Sequence, residues 1–242
     1  MIKHEPNDLL LRYYGSARST LGRCRLNLRL CFKRVGWRCQ ANAGEFLKRA
    51  FDLSGSLILL LLLLPAFLLI GLLVKLEDGG PMFFAQTRVG RFGKEFRMFK
   101  IRSMCLDAEE RLKQLLPQNH HGKGITFKIK DDPRITRVGR WLRKYSFDEL
   151  PQIYNILIGD MSFVGPRPPL PREVQRYTLA DRRRLAAIPG ITCFWQISGR
   201  SEIDFKGQVK LDVDYIERRD FWLDVKILAK TVPAVLSGKG AY

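Results

Sequence analysis

Histidine and cysteine are scarce in this chain: three and five among 242 residues. Cys24, Cys31 and Cys39 lie seven and eight residues apart, and no CxxC pair occurs. Neither a disulfide framework nor a zinc site fits that spacing. His4, His120 and His121 supply no Ser/His/Asp set. Acid is also short, with 24 Asp+Glu against 42 Lys+Arg, a formal net charge of +18. There is no internal repeat, and no low-complexity segment beyond one leucine run. Whatever chemistry occurs falls to carboxylates and basic side chains. Hydrophobic residues make up 46%, which excludes wholesale disorder and leaves material for a sizeable core.

The leucine run dominates what is present. Leu57 to Val74 holds 18 residues without a charge, and Leu53 to Val74 holds 22. About 20 apolar residues cross the ~30 Å of hydrocarbon in a bilayer. The run starts too far into the chain for a cleavable signal peptide, and no small-residue cleavage site follows it. Pro65 sits near its middle, where it removes a helix hydrogen bond. Both flanks are basic: residues 1–49 carry a net +8 and residues 75–242 a net +11. Lys/Arg-rich flanks stay cytoplasmic. A helix broken at Leu64-Pro65 that dips in and returns keeps both flanks inside, so a re-entrant helix over residues 46–76 is expected. A kinked single-pass anchor is the alternative. Residues 1–45 read as a basic arm, either disordered or lying on the membrane surface. Its charge suits anionic lipids. Nucleic acid is not expected as a partner, because no zinc finger, bZIP or RNP-like pattern occurs.

Residues 77–242 read as a mostly helical α+β domain. MFFAQTRV and KEFRMFKI, joined by GRFG, predict a small β-hairpin. Helices are predicted over 105–118, 148–158, 171–187 and 205–220, a basic amphipathic helix or turn over 135–145, and a polar loop at 119–134. The tail 221–236 predicts an amphipathic helix that lies in the interface.

Asp148 and Glu149 begin a helix directly after a basic run that includes Arg143 and Lys144. Two readings stand. Ser146-x-x-Glu149 fits a capping box, or Asp148 is itself the cap with Pro151 in the first turn. Alternatively, a carboxylate held ionised by a helix N-terminus and neighbouring cations can attack phosphorus, while its neighbour holds Mg²⁺. In Gly165-Pro166-Arg167-Pro168-Pro169 the prolines fix the backbone around Arg167, which suits phosphate recognition. Pro189-Gly190-Ile-Thr192-Cys-Phe-Trp195-Gln196-Ile-Ser-Gly199-Arg200 could hold a nucleotide or sugar. Gln86-x-Arg88-x-Gly90 and Lys100-Ile-Arg102-Ser-Met are weaker, since strand cations usually face solvent.

In order, the leucine segment with its central Pro, QTRVG, KIRSM, DDPRITRVG, FDELPQ, GDMSFVGPRP, PGIT…WQISGR and LDVDYIE resemble the bacterial sugar transferase family, the monotopic phosphoglycosyl transferases. The resemblance runs from about Phe46 to Tyr242. It implies transfer of a sugar-1-phosphate from a UDP-sugar to undecaprenyl phosphate, with release of UMP, as the first membrane step of exopolysaccharide, capsule or O-antigen synthesis. It implies Asp148 as nucleophile and Glu149 as its partner at Mg²⁺. It implies substrate contacts from Lys100, Arg102, Arg143, Arg167, Gln196, Arg200 and Asp212. It also implies the bacterial inner membrane, a catalytic domain on its cytoplasmic face, and downstream glycosyltransferases as further partners. The chain departs from the pattern at Leu64, where Ser is common, at Ile101, where an aromatic is usual, and at Cys193 after PGIT, where Gly is usual. A non-catalytic membrane scaffold and a membrane-anchored phosphatase or nuclease are the competing readings.

Overall fold

The computed structural model describes residues 20–115, 132–198 and 203–236. The chain divides into two compact units, Met1–Lys48 and Arg49–Tyr242. The first residues of the expected arm and most of the 119–134 loop lie outside the described residues.

Helix α1 spans Thr20–Asp78, with Pro65 inside it. The expected break at Leu64-Pro65 is therefore not an interruption of the helix. Proline removes one backbone hydrogen bond, but an apolar environment penalises every further unpaired backbone group, which keeps the flanking leucines helical. Within α1, Gly44–Asp78 is long and apolar enough to cross a membrane, and an 18-residue window inside it has a mean hydropathy of 3.2. Leu57, Leu61, Leu62, Leu64, Leu68 and Leu69 are exposed.

Both ends of the apolar stretch are gripped by the domain that follows. Near its start, Arg49 donates to the carbonyls of Ile156 and Leu157 at 2.7 and 2.8 Å. The buried Asp52 accepts from the Phe163 backbone N–H at 3.0 Å. Near its end, Ile70 and Val74 pack with Ile101 and Leu142, and Asp78 pairs with Arg102.

Strands β1 (Phe83–Val89) and β2 (Glu95–Ile101) form the predicted antiparallel hairpin, with Val89 opposite Glu95. Side chains alternate across a strand, so Arg88, Phe96, Met98 and Lys100 share one face. Helix α2 is Ala108–Leu115. Helix α3 (Arg137–Lys144) starts where Thr136 accepts from the Gly139 N–H at 2.9 Å. Helix α4 is Gln152–Ile158. Strand β3 (Ser162–Val164) pairs in parallel with β4 (Gly190–Thr192). The continuous helix expected over 171–187 is instead α5 (Pro171–Val174) and a separate 3₁₀ turn at Asp181–Ala186. Helices α6 (Phe194–Ser198), α7 (Phe205–Arg218) and α8 (Phe221–Leu236) complete the fold. The main core joins Phe96 and Met98 of the hairpin to Ile156, Phe163, Tyr215 and Ile227.

Candidate active site

The carboxylate pair sits on a 3₁₀ turn, Phe147–Glu149, between α3 and α4. Ser146 enters that turn in the left-handed region, at φ 57°. Neither Ser146 nor Pro151 makes a side-chain cap, so the capping reading is not realised. A non-glycine residue at positive φ is uncommon and persists only where its surroundings hold it. Here the turn is held from both sides. Arg143 Nε donates to Ser103 Oγ at 3.0 Å. The fully buried Asn155 pins α4 to the hairpin, giving Nδ2–H to the Arg97 carbonyl at 2.8 Å and accepting from the Phe99 N–H at 3.0 Å.

That docking aims the turn at Lys100. Lys100 Nζ lies 2.9 Å from Glu149 Oε1 and 3.9 Å from Asp148 Oδ2. Asp148 is only 6% exposed. Burial raises its carboxyl above the ordinary range, Lys100 and Arg143 oppose that rise, and Glu149 adds to it. Burial also raises Glu149, but Lys100, Arg167 and Arg88 together outweigh it and leave the group below its ordinary value. Adjacent carboxylates in environments that push them apart take different jobs. Desolvation lowers Arg143, while Asp148 pulls it back up.

Three cations line a small polar cleft beside Glu149: Lys100, Arg88 and Arg167, with Gln152 and Gln196. Arg88 is buried; its Nε and Nη2 donate to Gln86 Oε1 at 3.1 and 2.7 Å, and its Nη1 to the Pro168 carbonyl at 3.0 Å. Burial, with Arg167 nearby, pushes its guanidinium down to about 10. Arg167 is exposed while Pro166, Pro168 and Pro169 around it are buried. The loop is anchored where Gly165 N–H donates to the Thr192 carbonyl and Gly190 N–H to the Pro166 carbonyl, each at 3.0 Å. A Cβ at Gly165 would collide with the Ile188 carbonyl and stand 2.9 Å from the Gly190 nitrogen, so only glycine fits. The Arg167 guanidinium stacks 5.8 Å above the buried Trp195 ring.

Lys100, Arg143, Arg167 and Gln196 thus meet around the pair as expected. Arg102 does not. It is buried, bonded to Asp78 and to the Pro81 carbonyl, and ties the end of α1 to the end of β2. Asp212 is also elsewhere, 1% exposed and paired with Arg184, whose Nη1 donates to Tyr177 Oη at 3.2 Å. Burial pushes Asp212 up to about 6. Arg184 engages Oδ2, while Oδ1 is buried without a hydrogen-bond partner among the described residues. Arg200 lies outside the described residues. Arg88, read in the sequence only as a weaker strand cation, and Ser103 and Gln152, which lie inside the KIRSM and FDELPQ motifs without a role of their own, also stand at the site. Strand alternation puts Arg88 on the same face as Lys100.

Among the described residues, no group of three or more His, Cys, Asp or Glu side chains converges. Mg²⁺ commonly binds through one or two carboxylates plus substrate phosphates rather than in an all-protein cage. Asp148 and Glu149 fit that pattern, and the desolvated Asp148 carboxylate would gain from a dication.

The family model for bacterial sugar transferases matches residues 43–238. The chain is 50% identical over 196 residues to the galactosyl transferase CpsE of Streptococcus agalactiae, covering 80% of this chain and 43% of that one. It is 45% identical over 203 residues to the undecaprenyl-phosphate galactose phosphotransferase of Salmonella typhimurium, covering 83% of this chain and 42% of that one. It is 41% identical over 202 residues to the exopolysaccharide production protein ExoY of Rhizobium meliloti, covering 82% of this chain and 89% of that one. The chain spans less than half the length of the first two and most of the third. A family match over most of the chain and a near full-length relative agree: the chain belongs to the bacterial sugar transferase family.

Proposed function

We propose that the protein transfers a sugar-1-phosphate from a UDP-sugar to undecaprenyl phosphate through a covalent intermediate on Asp148. The observation that carries this reading is a buried carboxylate, raised by desolvation, set between Lys100 and Arg143 and beside a cation-lined cleft.

An Asp148 carboxylate oxygen attacks the phosphorus that carries the sugar. The bond from that phosphorus to the UMP oxygen breaks and UMP leaves with the electron pair. A phosphate oxygen of the lipid acceptor then attacks the same phosphorus, and the bond to Asp148 breaks. The products are undecaprenyl diphosphosugar and the regenerated carboxylate. Lys100, Arg88 and Arg167 neutralise the donor diphosphate, and positioned cations act strongly on charge that develops in a dry cleft. Arg143, held by Ser103, keeps charge on Asp148 affordable between turnovers. Mg²⁺ at Asp148 and Glu149 would neutralise the leaving diphosphate.

The anchor is read as re-entrant. From Asp52 to Val74 a straight helix would rise about 33 Å, roughly the hydrocarbon thickness. What supports a re-entrant course over a crossing one is that residues of one polar domain bond or pack at both ends of the stretch, with Pro65 between them. With the basic flanks, this supports the cytoplasmic face of the inner membrane and contact with anionic lipids. Downstream glycosyltransferases would then consume the product.

The test uses purified protein in nanodiscs with undecaprenyl phosphate, Mg²⁺ and a panel of UDP-sugars, read as UMP release. Wild type releases UMP with one or two donors, EDTA stops it, and intact mass shows a phosphosugar adduct. Asp148→Asn shows neither release nor adduct. Release that persists in Asp148→Asn would move the nucleophile elsewhere.

A further inference from the structure

Three aromatic rings stand at the seam between the membrane helix and the catalytic turn. Trp141 lies 5.1 Å from Phe147 and 5.8 Å from Tyr145, and Tyr145 lies 6.1 Å from Phe147, between ring centroids. Phe147 and Val138 pack on the cluster of Ile70, Val74, Ile101 and Leu142, where Phe67 of α1 also joins. One face of α3 therefore lies against the lipid-level part of α1. Leu142 is fully buried there, but Trp141 keeps 47% of its surface exposed. A half-exposed Trp beside apolar helix surface is placed to meet hydrocarbon.

This aromatic edge leads to the nucleophile. Phe147 precedes Asp148 in the chain, and the left-handed Ser146 turns Phe147 back toward Trp141. Cations continue along the same edge. Lys144 Nζ sits 5.5 Å above the Tyr145 ring. Arg143 faces Asp148 and is fixed by Ser103. The two carboxylates also face different cations. Glu149 answers to Lys100, Arg167 and Arg88, Asp148 to Lys100 and Arg143. One cation set suits the donor diphosphate. The other lies where the apolar edge ends.

We propose that Trp141, Tyr145 and Phe147 form the lane along which the isoprenoid chain of the acceptor reaches the site, with Arg143 and Lys144 receiving its phosphate. The proposal rests on the phosphotransfer reading above. It names the acceptor's chain as the occupant because the edge is apolar, continuous with the membrane helix, and ends in cations beside the nucleophile.

The test compares two acceptors with the same head group, undecaprenyl phosphate and the short, water-soluble geranyl phosphate, in nanodiscs with a fixed donor. Trp141→Ala should raise KM for the long acceptor about tenfold. It should leave the donor KM unchanged and weaken the short geranyl phosphate less than the long acceptor. Trp141→Phe should recover most of the loss. A long-chain KM that does not move, or a fall in donor and both acceptor parameters together, overturns the lane. As an activity-independent arm, benzoylphenylalanine at position 141 is irradiated with undecaprenyl phosphate alone. A lipid adduct by intact mass supports the lane, and no adduct with an active wild type overturns it. Wild type that transfers to neither acceptor from any donor removes the phosphotransfer reading, and the lane with it.

Discussion

Gly139→Ala probes how tightly the packing of α3 sets the catalytic geometry. A methyl added at Gly139 would stand 2.6 Å from the Ser103 carbonyl carbon and 2.8 Å from its Cα, against 3.4–4 Å for ordinary contact. The Ser103 segment has little freedom to retreat. Its carbonyl accepts from the Thr136 N–H at 3.2 Å, and the Arg102 N–H donates to the Met82 carbonyl at 2.8 Å. Packed interiors transmit such strain rather than absorb it, so α3 must move by roughly 1 Å. That helix carries Arg143 and runs into the Asp148 turn. Misplacing a catalytic group by about 1 Å costs ~10²-fold in rate. Overpacking also costs about 1–3 kcal/mol of stability, and each kcal/mol lowers Tm by about 2–4 °C in a chain of this size. UMP release and thermal unfolding are measured on the same nanodisc preparation. A Gly139→Ala protein with wild-type rate and wild-type Tm would refute the claim that this backbone contact fixes the site.

Arg184→Met leaves the sealed Asp212 carboxylate without its partner and should cost about 3–5 kcal/mol, read by thermal unfolding; pairing it with Asp212→Leu should recover most of the loss. Arg102→Met should lower Tm yet leave the donor KM unchanged, because its guanidinium is bonded to Asp78 and Pro81 rather than to the cleft; a raised donor KM would return Arg102 to the site. Asp148→Asn should raise Tm at pH 8. The folded-state carboxyl is raised by burial, so protonation favours the native state and the ionised form is the one that destabilises it. The gain in Tm should shrink as pH falls; a gain independent of pH would contradict the assignment.

Much of the molecule is legible locally. The alternation in MFFAQTRV and KEFRMFKI specifies the hairpin, and its two glycines specify the turn. The basic amphipathic pattern of 135–145 specifies α3, whose start the Thr136 cap sets two residues later. The prolines around Arg167 specify a fixed backbone there, and the three are buried while Arg167 reaches out between them. Local reading fails where two local solutions compete. Ser146-x-x-Glu149 matches a capping box, yet Glu149 gives its carboxylate to Lys100, a residue 49 positions away. A charge-assisted bond between groups taken out of water is stronger than a neutral cap to a backbone N–H. The 171–187 stretch has helical composition but breaks into short pieces at Thr178, whose N–H and Oγ1 donate to Asp181 Oδ2 at 2.9 and 2.8 Å while the Asp181 N–H donates back to Thr178 Oγ1 at 3.3 Å, a local side-chain turn that competes with the helix.

By itself the sequence determined the apolar segment, its basic flanks, the hairpin, and the order of motifs that carries the family. These depend on periodicity, charge and spacing along the chain. Only the tertiary structure decided which arginines line the cleft. Arg88 turned inward to the cleft, Arg102 was consumed by Asp78, and Asp212 was sealed against Arg184. A guanidinium in a motif looks the same in every case. Its role is set by the carboxylate or carbonyl that reaches it first and by how much water is left around it, and both come from residues distant in sequence.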